Sequence, residues 1–395
     1  MTGNGLSKVA LAADHVRRVN PWSDIARLET DLADVTAGDL AGIDVALVAV
    51  DNDAARLAAT RALMSARVPH VDAGVRADLC TARATVCRPA PDGACLLDSW
   101  SEQRLARAGE DVGMPCAAVG EIPPYGSSLS MAQAAASVAV HQALALAGVT
   151  TAEPAVGNEL RLDLAAVRFE RFTLPRNPTC AASHALATAD RLLLRHEPSQ
   201  TSLAALLAAS GIQPASEIVS AGHEIVTSAL CPRCHAASRP YRPRQTMLPC
   251  PACGGAIAPL RRARQVAWGD AATTLDGFPA SVWFRPGDAF ALRDPDGTAR
   301  VLAFPPTGIA WERGRAYEPA RDGERMSRVP ATIDLERVRH TRLALFGLGH
   351  LGAAMLEALA PLPWAGLLLL DRDHLEAANV QSHALAAAHP GGTTR

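Results

Sequence analysis

Apolar residues along this chain fall into two rhythms, one of helical spacing and one of uninterrupted strand-like runs. KVALAADHVRRV (8–19) has the helical spacing and is stopped by Asn20-Pro21. A strand-like stretch at 25–32 follows, and VALVAV (45–50) is a continuous apolar run ending in Asp51-Asn52, the pattern of a strand covered on both faces of a parallel sheet. Residues 54–67 read as a helix, VPHVDAGV (68–75) as a strand, and the Ala-rich stretch 130–146 as a long helix closed near Gly148. Further on, the pattern predicts a strand pair at 158–173, a helix at 201–209, and an antiparallel pair at 278–304 turning at Asp294-Pro295-Asp296-Gly297. The Arg- and Glu-rich segment 310–331 reads as a linker, and RLALFGLGHLGAAMLEALAPLPWAGLLLLDRD (342–373) as one βαβ unit. Residues 343–370 imitate a membrane span, but His350, Glu357, two prolines and four glycines favour a buried strand–turn–helix–strand.

Composition narrows the class. With 395 residues, two or three domains are expected. Hydrophobic residues make up 49% and charged residues 20%, and Lys+Arg 38 nearly cancels Asp+Glu 40, which excludes a disordered chain and a polybasic nucleic-acid binder. Aromatics at 4% leave little for base stacking. Among the basic residues 37 are Arg and one, Lys8, is Lys, so Lys8 is either an accident or a site where guanidinium will not serve. Nine cysteines are too sparse for a disulfide scaffold, and four of them form two CxxC pairs. With no basic-then-apolar leader pattern at the N-terminus, a cytoplasmic protein is expected.

Two motifs carry chemistry. Gly347-Leu348-Gly349-His350-Leu351-Gly352 follows the strand LALF and opens the helix AAMLEALA, where bare backbone N–H groups face an anionic phosphate. Asp371 ends the next strand, in place to accept hydrogen bonds from ribose hydroxyls. ATP users and nicotinamide enzymes share this loop, but Asp373, Glu376 and Asn379 put extra polar groups where NAD enzymes usually have none. The second motif is Cys231-Pro-Arg-Cys234, then Cys250-Pro-Ala-Cys253-Gly-Gly, a four-thiolate set for Zn²⁺. Four protein ligands leave no open position, so this reads as a structural zinc ribbon, with His235 a neighbour of the ligands. Cys80 and Cys87 read as core residues. No Ser-His-Asp elbow, HExxH or Walker lysine loop supports another chemistry.

The run from Asp371 to Asn379 resembles the ThiF/MoeB/HesA adenylyltransferases, relatives of ubiquitin-activating enzymes, whose signature is GxGGLG and then a strand ending DxDxVxxxNLxRQ. GLSKVALAADHVRRVNP (5–21), VALVAVDNDAARLAATRALMSARVPHVDAGV (45–75), CAAVGEIPPYGSSLSMAQAAASVAVHQALALAG (116–148) and GNELRLDLAAVRFERFTLPRNPTC (157–180) resemble the family's following pieces. Their order differs, because the family's Gly-rich βαβ unit comes first and here it is last. Circular permutation, exchange of the unit between two chains, or a join between the end of one module and the start of another would each give this order.

The resemblance implies an α/β, Rossmann-like, mostly parallel sheet with helices on both faces in permuted order, plus a zinc ribbon and a small β-rich segment. The expected division is 1–180 and 336–395 for the two parts of the adenylation domain, 181–230 linker and helix, 231–258 zinc ribbon, and 259–335 β-rich segment and linker. It implies ATP-dependent adenylation of the C-terminal carboxylate of a ubiquitin-like or sulfur-carrier protein or a precursor peptide, with pyrophosphate released, and a homodimer. Lys8 would supply a cation to the phosphates, Asp51 would hold Mg²⁺, and Arg56 and Asn379 would help bind phosphate. The Gly loop and Asp371 would cradle AMP, with Asp373 near the metal. Cys116 stands where some members place a cysteine that takes the acyl group or forms a persulfide. Two departures stand out: Ser382 replaces an Arg that meets the phosphates, and the family's own four-cysteine zinc positions read Cys95/Asp98 and Cys180/Ser183, which are expected to bind no zinc. A nucleotide-binding scaffold that has lost catalysis and an NAD-dependent oxidoreductase are the rival readings.

Overall fold

The structure is a computed structural model. It describes residues 7–90, 92–111, 128–182, 184, 187, 189–209, 217–219, 225–243, 247–263, 265–267, 269, 278–293, 299–306 and 308–375. In chain order the elements begin α1 (Lys8–Val19), β1 (Asp24–Leu28), β2 (Val45–Val48), α2 (Asp53–Ala66), β3 (His70–Arg76), β4 (Thr81–Cys87), α3 (Glu102–Asp111), α4 (Leu129–Leu146), β5 (Asn158–Asp163) and β6 (Arg168–Thr173). Then come β7 (Arg191–Leu193), α5 (Leu203–Ala209), β8 (Glu217–Val219), β9 (Ile225–Leu230), β10 (Ala237–Ser238), β11 (Arg242–Pro243), β12 (Ala258–Ala263), β13 (Gln265–Ala267), β14 (Ala289–Arg293) and β15 (Ala299–Ala303). The chain closes with α6 (Pro319–Met326), α7 (Leu335–Val338), β16 (Arg342–Phe346), α8 (His350–Leu359) and β17 (Gly366–Leu370).

The largest sheet joins both ends of the chain. Its order is β1-β17-β16-β2-β3-β4-β5-β6, parallel from β1 to β3 and antiparallel from there to β6. The two-residue period of a strand explains why LALF and GLLLL are apolar throughout. Val45, Leu47, Leu343, Leu345, Leu367 and Leu369 face a core with α1, α4 and α8, while Ala46, Val48, Ala344, Phe346, Leu368 and Leu370 face α2. Alanines on α4 allow close approach to this sheet, and Ala132, Ala135, Ala139 and Ala143 are fully buried. Among the described residues α4 is a helix long and apolar enough to cross a membrane, and here it packs on β3, β4 and α8.

A five-stranded sheet, β13-β8-β14-β15-β7, forms a second core around Phe284, Phe290 and Phe304, with β14 and β15 antiparallel as the sequence suggests. The turn 294–298 between them lies outside the described residues. The ribbon is built on β9, which pairs with β10, β11 and β12, so its sheet reaches to Ala263, beyond the expected limit at 258. The segment 310–331 differs from a free linker. Glu312 exchanges backbone hydrogen bonds with Ile25 on the edge of β1, and its carboxylate takes Arg17 and Arg27. Arg315 N–H donates to the Pro21 carbonyl, and a Cβ on Gly314 would overlap the Trp22 carbonyl.

Candidate active site

The Gly-rich loop assigns a different task to each glycine. Gly347 has φ +85°, and a Cβ there would lie 2.8 Å from the Ala49 carbonyl oxygen, so a turn this tight against β2 excludes a side chain. A Cβ on Gly352 would overlap the Gly347 carbonyl oxygen, which is the close contact that lets α8 start so near the strand. Gly349, the N-cap of α8, has open space where its Cβ would be. A backbone bare on its outer side at a helix N-terminus is a cradle for phosphate. Leu348 N–H donates to Asp371 Oδ2 at 2.5 Å, and Asp373 N–H donates to Asp371 Oδ1 at 2.8 Å, so Asp371 is pinned between the loop and its own strand end. Burial pushes the Asp371 carboxyl above its ordinary range, against the pull of these two N–H groups and of Lys8.

Residues from the far end of the sequence complete the same edge. Ser7 caps α1 and bridges to His374, and Lys8 N–H donates to the Asp373 carbonyl oxygen at 3.1 Å. Lys8 Nζ lies 3.3 Å from Asp373 Oδ2, with the Lys8 side chain largely buried and Asp373 half exposed. Asp51 follows β2, whose end is tied to β16 by Ala49 N–H donating to the Phe346 carbonyl oxygen. Asp51 is exposed and accepts from Asn52 Nδ2 at 3.0 Å, while Asn52 Oδ1 caps α2 through Ala55 N–H. The carboxyl ends of β17, β16 and β2 therefore carry Asp371, the Gly loop and Asp51 side by side. Strand order reverses between β16 and β2, the place where open α/β sheets bind ligands.

Arg56 is placed differently from the expectation that it meets phosphate. Its guanidinium is buried and donates to Asp72 Oδ1 at 2.5 Å, the Val50 carbonyl at 2.5 Å and the Ala73 carbonyl at 3.0 Å. Arg83 adds a second contact to Asp72 at 3.0 Å. Arg56 thus ties α2 to β3 and braces the backbone just before Asp51.

Residues 2–182 match the ThiF family. The match takes in a little under half of the chain, from before α1 to just past Cys180, and no curated protein matches it. ThiF-family proteins are E1-like adenylyltransferases that use ATP and act on ubiquitin-like or sulfur-carrier proteins. The βαβ unit carrying Gly347, Gly349, Gly352, Asp371 and Asp373 lies outside the matched residues, yet it fills the middle of the sheet that the ThiF-matched residues build.

The four ribbon cysteines converge as their spacing predicts. Their Sγ atoms all lie within 4.8 Å of one another, and the Cys231–Cys253 and Cys234–Cys250 pairs are each 3.5 Å apart. Two matching knuckles hold them. Cys231 N–H donates to the Ala236 carbonyl and Cys250 N–H to the Gly255 carbonyl, while His235 (φ +57°) and Gly254 (φ +68°) take the same left-handed position after each CxxC. His235 is a turn residue and stands outside the ligand set. Backbone N–H groups of Cys234 and Arg233 hold the Cys231 thiol below its ordinary range. The donor set and spacing fit a tetrahedral Zn²⁺, for which S–S edges near 3.7 Å follow from Zn–S bonds of about 2.3 Å.

The remaining cysteines divide. Cys87 is buried in β4 as expected, but Cys80 is exposed, because it sits in the left-handed turn (φ +48°) between β3 and β4 and points away from the core. Cys116, Asn379 and Ser382 lie outside the described residues. Cys95 and Cys180 come together, with Sγ atoms 3.6 Å apart, beside Asp98 and His184. Their four side-chain donor atoms lie within 4.8 Å of one another and all four residues are buried. Sequence reasoning paired Cys180 with Ser183 and missed His184. The spacings Cys-x2-Asp and Cys-x3-His were the available signal.

Proposed function

We propose that this protein uses ATP to adenylate the C-terminal carboxylate of a ubiquitin-like protein, a sulfur-carrier protein or a precursor peptide, and releases pyrophosphate. The observation that carries this reading is the convergence of the Gly loop, Asp371, Lys8 and Asp51 on one sheet edge from opposite ends of the sequence. A circularly permuted ThiF-like domain accounts for that arrangement, with the ribbon and the five-stranded sheet as an insert between its two parts.

Attack of a carboxylate on the α-phosphate needs charge neutralisation and positioning more than covalent help. Loop N–H groups beside Gly349 would hold phosphate oxygens. Asp371, already fixed by Leu348 and Asp373, would accept from the ribose. Mg²⁺ commonly takes one or two protein carboxylates, and with Asp371 committed to the loop, Asp51 and Asp373 are the candidates at this edge among the described residues. The metal would offset phosphate charge. Lys8, positioned at this edge beside Asp373, would offer its compact ammonium to the phosphates, a task that Arg's wide fork would not perform equally well. Arg56 has a positioning role in this scheme. The fate of the acyl group, whether passed to Cys116, to another thiol or to sulfide, follows the adenylation step. A homodimer in the cytoplasm is part of the same proposal.

Pyrophosphate exchange with purified protein and candidate Gly-Gly-ending carriers or precursor peptides tests it. The exchange should require ATP and fall sharply in Lys8→Ala and Asp51→Ala. Absence of exchange with every carrier, together with unchanged host phenotype for both variants, would reject the reading. The commitment of Arg56 to Asp72 favours one rival, a nucleotide-binding scaffold in which the ribbon recruits partners; ATP binding without turnover would select it. Tight NAD binding in place of ATP would select an oxidoreductase.

A further inference from the structure

Where the ThiF resemblance puts a zinc, this chain has a group whose carboxylate is already spent on its neighbours. Asp98 Oδ1 accepts from Asn177 N–H at 2.8 Å and Arg176 Nη1 at 3.1 Å; Oδ2 accepts from Cys95 N–H at 2.6 Å and His184 Nε2 at 2.9 Å. A carboxylate offers about four lone-pair sites, so these four donors fill it. A zinc ligand must turn a lone pair to the metal at about 2 Å. Neither the Asp98 oxygens nor His184 Nε2 can do so while they hold each other. With Asp98 filled and His184 Nε2 held by it, the group keeps at most three donors for a metal, Cys95, Cys180 and His184 Nδ1, one short of the closed set of four thiols in the ribbon.

What remains is an ordered relay. Asp98 orients His184, a ring nitrogen of His184 lies within 4.8 Å of Cys180 Sγ, and Cys180 lies 3.6 Å from Cys95. We propose that Cys95 and Cys180 are a metal-free redox dithiol that closes to a disulfide linking the turn at 95–98 to Cys180. The sulfurs need to approach by roughly 1.5 Å to reach a bond length of about 2.05 Å. Cys180 is the more open of the two, 8% exposed against 1%, and is the one that meets the oxidant. The hydrogen bond from Cys95 and the contact with His184 favour the Cys180 thiolate, while Cys95, which supplies that proton, is pushed up.

With hydrogen peroxide as oxidant, the Cys180 sulfur attacks one peroxide oxygen and the O–O bond breaks. The departing hydroxide takes the proton held by His184 and leaves as water, with Cys180 now a sulfenic acid. Cys95 then attacks the Cys180 sulfur, the S–O bond breaks, and the second hydroxide takes the Cys95 proton. Two thiols and one peroxide become one disulfide and two waters, each sulfur giving up one electron.

The test uses the full chain. Elemental analysis should find one zinc per chain, unchanged in Cys95→Ser and lost in Cys231→Ser. Peroxide treatment of the native protein, followed by denaturation, alkylation and peptide mapping, should show peptides containing Cys95 and Cys180 joined and released by dithiothreitol. His184→Gln should slow that reaction about tenfold and flatten its pH profile. A second zinc that disappears in Cys95→Ser, or a peroxide-treated wild-type chain in which Cys95 and Cys180 are both still alkylated, would overturn the proposal. The wild-type map decides even where a variant fails to fold.

Discussion

The three loop glycines allow folding and nucleotide binding to be separated by a single methyl group. In Gly349→Ala the new Cβ meets nothing within 4 Å, and the residue's φ of −72° suits any side chain. The only structural cost is that of replacing Gly by Ala at an N-cap, which is of order 1 kcal/mol or less. Gly352→Ala has nowhere to go, because its methyl would overlap the Gly347 carbonyl oxygen, backbone against backbone. Overpacking of this kind costs about 1–3 kcal/mol or more. Gly347→Ala combines a left-handed φ of +85° with a 2.8 Å contact on Ala49 O. The conformational part alone is about 1–2 kcal/mol. Thermal melts should therefore rank Gly349→Ala near wild type and the other two well below. Calorimetry with ATP should give the reverse sense for Gly349→Ala, a loss of tenfold or more in affinity, or at least about 1.4 kcal/mol, because the methyl fills the space a phosphate oxygen would approach. A Gly349→Ala protein that melts and binds ATP like wild type would refute the assignment of this loop.

Lys8→Arg should fail to restore exchange activity lost in Lys8→Met, since the buried stem and the 3.3 Å contact with Asp373 suit a compact ammonium; a fully active Arg variant would contradict the role. Chelation of zinc should release the ribbon first, seen as faster amide exchange across β9 to β12 with β16 and β17 still protected. Breaking the buried Arg56–Asp72 pair with Arg56→Met should cost about 3–5 kcal/mol, read in denaturant melts, because Asp72 is left with Arg83 in a site closed to water. The Asp98–His184 pair predicts a pH effect. Burial works against charged His184, but Asp98 and Cys180 outweigh it and raise the imidazole from 6.5 to about 9. Its stabilisation is then fully present below about pH 6.5 and is lost as pH rises through about 9. Melts between these values should show the decline in wild type and lack it in Asp98→Asn.

Much of this protein is legible in the residues themselves, where chemistry and chain spacing coincide. The helix at Lys8–Val19, the βαβ unit with its three glycines, and the CxxC pairs each depend on neighbours a few residues apart, so local pattern was enough to name them. The same holds for the sheet core, because strands buried on both faces must be apolar throughout. Tertiary structure alone decided the pairings made across long stretches of chain. Nothing in the sequence states that Lys8 meets Asp373, that Arg56 turns inward to Asp72, or that Glu312 fastens a polar segment to the edge of β1. Cys95 and Cys180 show why. Read as broken CxxC pairs they looked incomplete, but folding supplies His184 and then spends Asp98 on it, so the chemistry of the group depends on which donors are already satisfied. That condition is set by packing of distant segments, and a residue pattern carries no record of it.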